Sequence, residues 1–200
     1  MKKISHRINT IKQLKQVPVT NGVEIDVRDY NSELILSHDP FSNGELLYEF
    51  LKNYRHSTLI INSKSEGIEF KILELLTEFG IDDFFFLDCS FAIISKFISS
   101  GERRFAARYS EIESLQTVLN LKDKAEWVWV DCFTSSPHDE ELFRILKKSD
   151  YKICIVSPDL VGRKNEIPEY VDFIKKINII PDAVCVKLEN EAYWNLTTFE

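Results

Sequence analysis

The sequence predicts an α/β fold, a compact (β/α)8 TIM barrel with short loops. Two observations predict it: apolar β-rich runs alternate strictly with amphipathic stretches of helical period, and there are eight such runs in 200 residues. Strict alternation implies a parallel sheet with right-handed crossovers, and eight repeats point to a barrel rather than an open doubly wound sheet.

The eight runs are KKISHR (2–7), GVEIDVRDY (22–30), STLIINSK (57–64), DFFFLDCS (83–90), RFAARYSE (104–111), WVWVDCF (127–133), YKICIVSP (151–158) and DAVCVKL (182–188). Their β-branched and aromatic residues favour extended backbone. Between them, GELLYEFLKNY, EGIEFKILELLTEFG, FAIISKFISSG, EIESLQTVLNL, HDEELFRILKKS and EIPEYVDFIKKIN place apolar residues at i, i+3, i+4 and i+7, the pattern of a helix with one buried face. Gly80 and Gly101 fall where helix C-caps belong, and SSPHDEELF carries a helix-start signal. INTIKQLKQVPVTNG, after the first run, has room for only a brief helix, and ENEAYWNLTTFE, after the eighth, allows at most a stub. Nothing in composition or repeats divides the chain, so the expectation is a single domain over 1–200.

The formal net charge of −7 argues against a nucleic-acid partner, because phosphate-backbone binding needs clustered Lys and Arg. MKKISHRINT has no apolar run behind its lysines, and no stretch approaches the length of a membrane span, so a soluble protein is expected. Cys89, Cys132, Cys154 and Cys185 are widely spaced and sit in β-like runs, where a small thiol packs; a reducing cytoplasm fits them.

In a (β/α)8 barrel the functional groups gather at the C-terminal ends of the strands. By that rule the first run contributes His6 and Arg7, and the second contributes Glu24, Asp26 and Arg28, which alternate onto one face. A tight hairpin after the second run leads to His38 and Asp39. The later runs end in Asn62 and Lys64, Asp88, Arg108, Asp131, Ser157 with Asp159, and Lys187. Paired acids beside paired bases and two imidazoles suit a phosphate ester. Glu24 and Asp26 would hold a hard divalent cation, Arg7 or Lys64 would neutralise phosphate, and the imidazoles would move protons. The competing reading is a buried ion-pair network among Glu24, Asp26, Arg28, Arg7 and Lys64. Arg108 would either salt-bridge Asp88 or Asp131 or bind an anionic part of the substrate. Trp127 and Trp129 read as core, with Trp129 near the rim, and His56 and His138 read as surface residues.

SHRIN, followed by VEIDVRD, LILSHDP and IINSK, resembles the glycerophosphodiester phosphodiesterase family within the phosphatidylinositol-phospholipase-C-like superfamily. The family pattern is H-R-G, then E-x-D, H-D and E-x-K in that order, and the first sixty-odd residues carry most of the likeness. The resemblance implies that His6 and His38 are general acid and base on opposite sides of phosphorus. It implies Glu24 and Asp26 as ligands of Mg2+ or Ca2+, and Arg7 and Lys64 as binders of non-bridging oxygens. Lys187 and Arg108 extend the phosphate-binding set, and Asn62 or Asp88 would complete the metal's coordination. Three departures stand out: Ile8 replaces the glycine of H-R-G, Asn62 replaces the glutamate of E-x-K, and the segment that many members insert after H-D is absent.

The expected activity is metal-dependent hydrolysis of a small soluble phosphodiester, a glycerophosphodiester or a sugar or polyol diester. The alternatives are a lyase that forms a cyclic phosphate, and a catalytically silent barrel that binds a phosphorylated ligand or a partner protein.

Overall fold

A computed structural model describes residues 1–196. The chain forms two compact units, one of residues 5–105 and the other of residues 1–4 with 106–200.

In the unit 5–105, strand β2 (Gly22–Tyr30) is the organising element. It pairs in parallel with β5 (Leu59–Ser63), which pairs in parallel with β6 (Phe84–Leu87). On its other side β2 turns back into β3 (Glu33–Leu36) as an antiparallel hairpin, and β3 pairs with the two-residue β4 (Glu45–Leu46). Asn31 and Ser32 take left-handed backbone at φ 50 and 68, which makes this hairpin tight. Helices α1 (Ile11–Leu14), α2 (Leu47–Asn53), α3 (Glu69–Glu78) and α4 (Phe91–Ser100) connect the strands. Gly101 ends α4 with φ 79, a left-handed cap that costs a glycine little. Every residue of β5 and β6 is buried, as expected of strands covered on both faces.

The second unit holds β1 (Lys2–Ser5, whose last residue lies in the other unit), β7 (Ala106–Tyr109), β8 (Trp127–Val130), β9 (Lys152–Val156) and β10 (Ala183–Val186). β7 to β10 are joined in parallel in chain order, through α5 (Leu115–Asn120), α6 (Glu140–Lys148) and α7 (Ile167–Ile177). The eight runs read from the sequence correspond to β1, β2 and β5 to β10. The hairpin strand β3 was anticipated as a return, whereas β4 was not. The stub after the eighth run is a 3-10 helix, Leu188–Trp194; residues 197–200 of that segment lie outside the described residues. Cys132, Cys154 and Cys185 are buried, and Cys89 is half-buried beyond the end of β6. Among the described residues, no helix is long and apolar enough to cross a membrane.

Candidate active site

His6, Arg7, Glu24, Asp26, His38, Asn62, Lys64 and Asp88 all belong to the unit 5–105. Alternation along β2 sets Glu24 and Asp26 on one face, and each is only 1% exposed. The parallel register of β2 and β5 places Asn62 opposite Asp26.

The segment after β1 is folded onto these two acids. Arg7 adopts φ 55, and its N–H donates to Glu24 Oε2 at 2.7 Å. Ile8 N–H then donates to the Glu24 carbonyl at 2.8 Å. The left-handed residue here is Arg7, so Ile8 occupies the position of the family glycine without needing glycine's freedom, and its side chain is buried. Asn9 grips Asp26 twice: its Nδ2 donates to Asp26 Oδ2 at 2.8 Å, and its Oδ1 accepts from Asp26 N–H at 2.9 Å. Sequence reasoning missed Asn9. The available signal was an Asn-Thr before a helical run, and that signal marks Thr10, which caps α1 by accepting from Gln13 N–H.

His38 arrives from the end of β3. Ser37 N–H donates to the Asp26 carbonyl at 3.0 Å, and Arg28 Nη2 donates to the His38 carbonyl at 3.0 Å. His38 Nδ1 lies 2.8 Å from Asp39 Oδ1. The His38 hydrogen bond, opposed by some burial and aided by the charges of His38, Arg7 and Arg28, holds the Asp39 carboxyl below its ordinary range. An ionised carboxylate only accepts, so Nδ1 carries the proton and Nε2 of the neutral ring is the free base. His6 approaches the acids from the other side of the sequence, its Nε2 3.7 Å from Glu24 Oε2.

The charges are unequally shared. Asp26 has Arg7 Nε at 3.6 Å and Lys64 Nζ at 3.6 Å, and Lys64 also reaches Asp88 Oδ2 at 3.3 Å. The ion-pair network considered from the sequence thus exists around Asp26. Glu24 is outside it: burial, then the charge of Asp26, push its carboxyl up to about 7, against the opposing pull of the Arg7 N–H, the Asn62 amide and Lys64. Buried Glu69 fixes the loop that carries Lys64 by accepting from Ser63 Oγ at 2.8 Å and from Gly67 N–H at 2.8 Å.

Two buried oxygens, Glu24 Oε1 and Asn62 Oδ1, have no hydrogen-bond partner. Buried acceptors are ordinarily satisfied, and an all-oxygen set of this kind fits a hard divalent cation. Glu24, Asn62 and Asp26 are the residues that could hold one. Among the described residues, no group of three or more His, Cys, Asp or Glu side chains is placed to hold a metal, so an amide oxygen has to be counted to reach three protein ligands.

Arg108, Asp131, Asp159 and Lys187 belong to the other unit. Arg108 is ion-paired to Asp131 at 2.7 Å and to Glu113 at 3.7 Å, which is one of the two arrangements the sequence left open. Trp129 Nε1 donates to the same Asp131 oxygen at 2.9 Å, and Trp127 and Trp129 are both core residues. Lys187 is half-buried, and its N–H donates to Asp159 Oδ2 at 3.2 Å. His138 is exposed as expected; His56 is half-buried, with Nε2 3.0 Å from the Val17 carbonyl.

A glycerophosphodiester phosphodiesterase from Agrobacterium tumefaciens C58 superposes with a TM-score of 0.70, at 14% identity, covering 96% of this chain and 97% of that one. The fold is the α/β fold of the (β/α)8 barrels. A glycerophosphoryl diester phosphodiesterase from Parabacteroides distasonis ATCC 8503 is also similar, with a TM-score of 0.68 and 16% identity over 96% of this chain and 85% of that one. No family model matches the sequence, and no curated protein matches it. Asp26 and Asn62 face each other near the C-terminal end of the parallel pairing of β2 with β5, and Lys64 directly follows β5.

Proposed function

We propose that this chain is a divalent-metal-dependent phosphodiesterase that hydrolyses a small soluble phosphodiester, of the glycerophosphodiester or the sugar or polyol class. The observation that carries the reading is the buried Glu24 carboxyl, whose Oε1 has no hydrogen-bond partner and whose Oε2 lies 3.7 Å from His6 Nε2. The fold shared with two phosphodiesterases supports it. Mg2+ or Ca2+ would be held by Glu24, Asp26 and Asn62, with Asp88 drawn off by Lys64. When bound, such a cation supplies charge neutralisation at the phosphate.

The chain's own residues would then act as follows. His38, its Nδ1 proton held by Asp39, takes a proton at Nε2 from the attacking water, and the Asp39 carboxylate stabilises the resulting imidazolium. The water oxygen bonds to phosphorus as the phosphorus–alkoxide bond breaks. His6 gives its proton to the departing alkoxide. Arg7 and Lys64 are the phosphate-binding cations that the sequence suggests in this unit. Widely spaced, mostly buried cysteines fit a reducing cytoplasm.

The test is turnover of a panel of phosphodiesters by the purified chain with Mg2+, Mn2+ or Ca2+, followed by 31P NMR. Hydrolysis gives a monoester, while attack by a substrate hydroxyl gives a cyclic phosphate. His6→Ala and His38→Ala should each lower the rate by about 10²- to 10⁴-fold. A wild-type chain inert to every diester and metal overturns the enzyme reading. That result favours the silent barrel, to which the scarcity of acidic ligands also points.

A further inference from the structure

Three cations stand at this end of β2 and β5, and two of them are already paired. Arg7 is 3.6 Å from Asp26 Oδ2, and Lys64 divides its charge between Asp26 at 3.6 Å and Asp88 at 3.3 Å. The third, Arg28, follows Glu24 and Asp26 on the same alternating face of β2 and is half-buried. Among the described residues, no carboxylate lies within ion-pairing distance of it. Its Nη2 is anchored on the His38 carbonyl at 3.0 Å, while its buried Nε–H has no acceptor.

A guanidinium does not deprotonate at any working pH, so burial cannot be relieved by losing the charge. A buried donor with no acceptor is also rare in a folded protein and calls for an explanation such as an absent ligand. One arm fixed on a carbonyl leaves the rest of the planar fork held in place, the geometry that favours recognition of an oxyanion.

We infer that Arg28 binds the substrate through a non-bridging phosphate oxygen, with Arg7 and Lys64 mainly holding Asp26. The inference rests on the phosphodiesterase reading for its ligand. It reassigns the anion contact to a residue that the sequence offered only as an ion-pair partner for Glu24 and Asp26. The same Arg28 side chain ties the phosphate seat to the backbone of His38, so binding of the anion and placement of that imidazole are set by one group.

The probe is inorganic phosphate, titrated calorimetrically into the full chain in Mg2+-containing buffer, with Arg28→Gln, Arg28→Lys and the exposed Lys96→Gln as a charge control. Arg28→Gln should weaken phosphate binding by roughly tenfold or more, the loss of one charge-assisted contact. Arg28→Lys should recover part of it, and Lys96→Gln should match wild type. In turnover assays Arg28→Gln should raise KM more than it lowers kcat. Equal phosphate affinity in wild type and Arg28→Gln, or no phosphate binding by wild type, overturns the inference. If Arg28→Gln does not fold, the comparison rests on Arg28→Lys, whose affinity should fall between wild type and no binding; an unchanged affinity again overturns it. A purely structural Arg28 would lower kcat or shift its pH profile at constant phosphate affinity. Phosphate binding lost with Arg28 in a chain that turns over no diester sinks the phosphodiesterase reading alone. Turnover by a chain whose phosphate affinity ignores Arg28 sinks this inference alone.

Discussion

Asn62 lies directly across the β2–β5 pair from Asp26, and its side-chain oxygen is buried without a partner. At this position an amide supplies the oxygen but not the charge. Asn62→Asp keeps the shape and adds a carboxylate next to two buried acids. The variant should bind Mg2+ or Ca2+ more tightly by roughly tenfold, since cation affinity follows ligand charge. Without metal it should melt at a lower temperature than wild type at pH 8, because one more buried like charge must be carried. Calorimetric titration and paired melts with and without metal check both effects.

Glu24 should make the metal-free protein less stable as pH rises. Its carboxyl is pushed from an ordinary 4.5 up to about 7, so between those values the folded chain holds a proton that the unfolded chain has released. Stability therefore falls as pH climbs through that window, by about 3 kcal/mol at most for a shift of this size. Denaturant midpoints from pH 4.5 to 8 should show the decline in wild type. Glu24→Gln should remove it, and the same variant should lose metal affinity first and activity as a consequence.

Glu111, in the other unit, behaves in the opposite sense. Its carboxylate accepts from Phe133 N–H at 3.2 Å, Thr134 N–H at 2.7 Å and Ser135 N–H at 2.8 Å, and from the Thr134 hydroxyl at 2.9 Å. What burial there is raises its carboxyl, but the hydrogen bonds from Ser135 N–H, its own N–H and Thr134, in that order, outweigh it and bring the group down to about 2. The clamp is thus fully present above the ordinary value of 4.5 and released as pH falls toward 2. Hydrogen exchange at Thr134 and Ser135 should be faster in Glu111→Ala than in wild type at pH 6, with strands β7 and β8 unchanged.

The sequence carried the strand order because a buried strand and an amphipathic helix each leave a periodic trace. The H-R, E-x-D and H-D groups were legible for the same reason, since alternation alone sets Glu24 and Asp26 on one face and a tight hairpin brings Ser37, the neighbour of His38, back to the Asp26 carbonyl. What escaped depended on tertiary register. Arg108 had two open partners until the pairing of β7 with β8 set it opposite Trp129 and beside Asp131. His56 looked like a polar residue after a helix, and nothing local signals its contact with the Val17 carbonyl, 39 positions away. Arg28 looked like a counter-ion for the acids, yet Arg7 and Lys64 take that role by arriving from β1 and β5. No local pattern encodes which of three cations is left over.

Asn9 offers the sharpest check on how the acids are held. Its side chain satisfies both an Asp26 oxygen and the Asp26 N–H, so Asn9→Ala leaves a donor without its acceptor and removes a neutral partner from a carboxylate that is 1% exposed. Loss of a buried partner costs about 1–3 kcal/mol, and here the Asp26 N–H bears most of it. Asn9→Asp restores the acceptor for that N–H but sets a third negative charge beside Asp26. If the two-point grip is what positions Asp26, Asn9→Ala should lower thermal stability and raise the Kd for Mg2+ together. Asn9→Asp should lower metal-free stability at pH 8 at least as far, yet recover part of it at pH 5, where the added carboxyl takes a proton. Equal losses in both variants at both pH values would show that Asn9 only fills space.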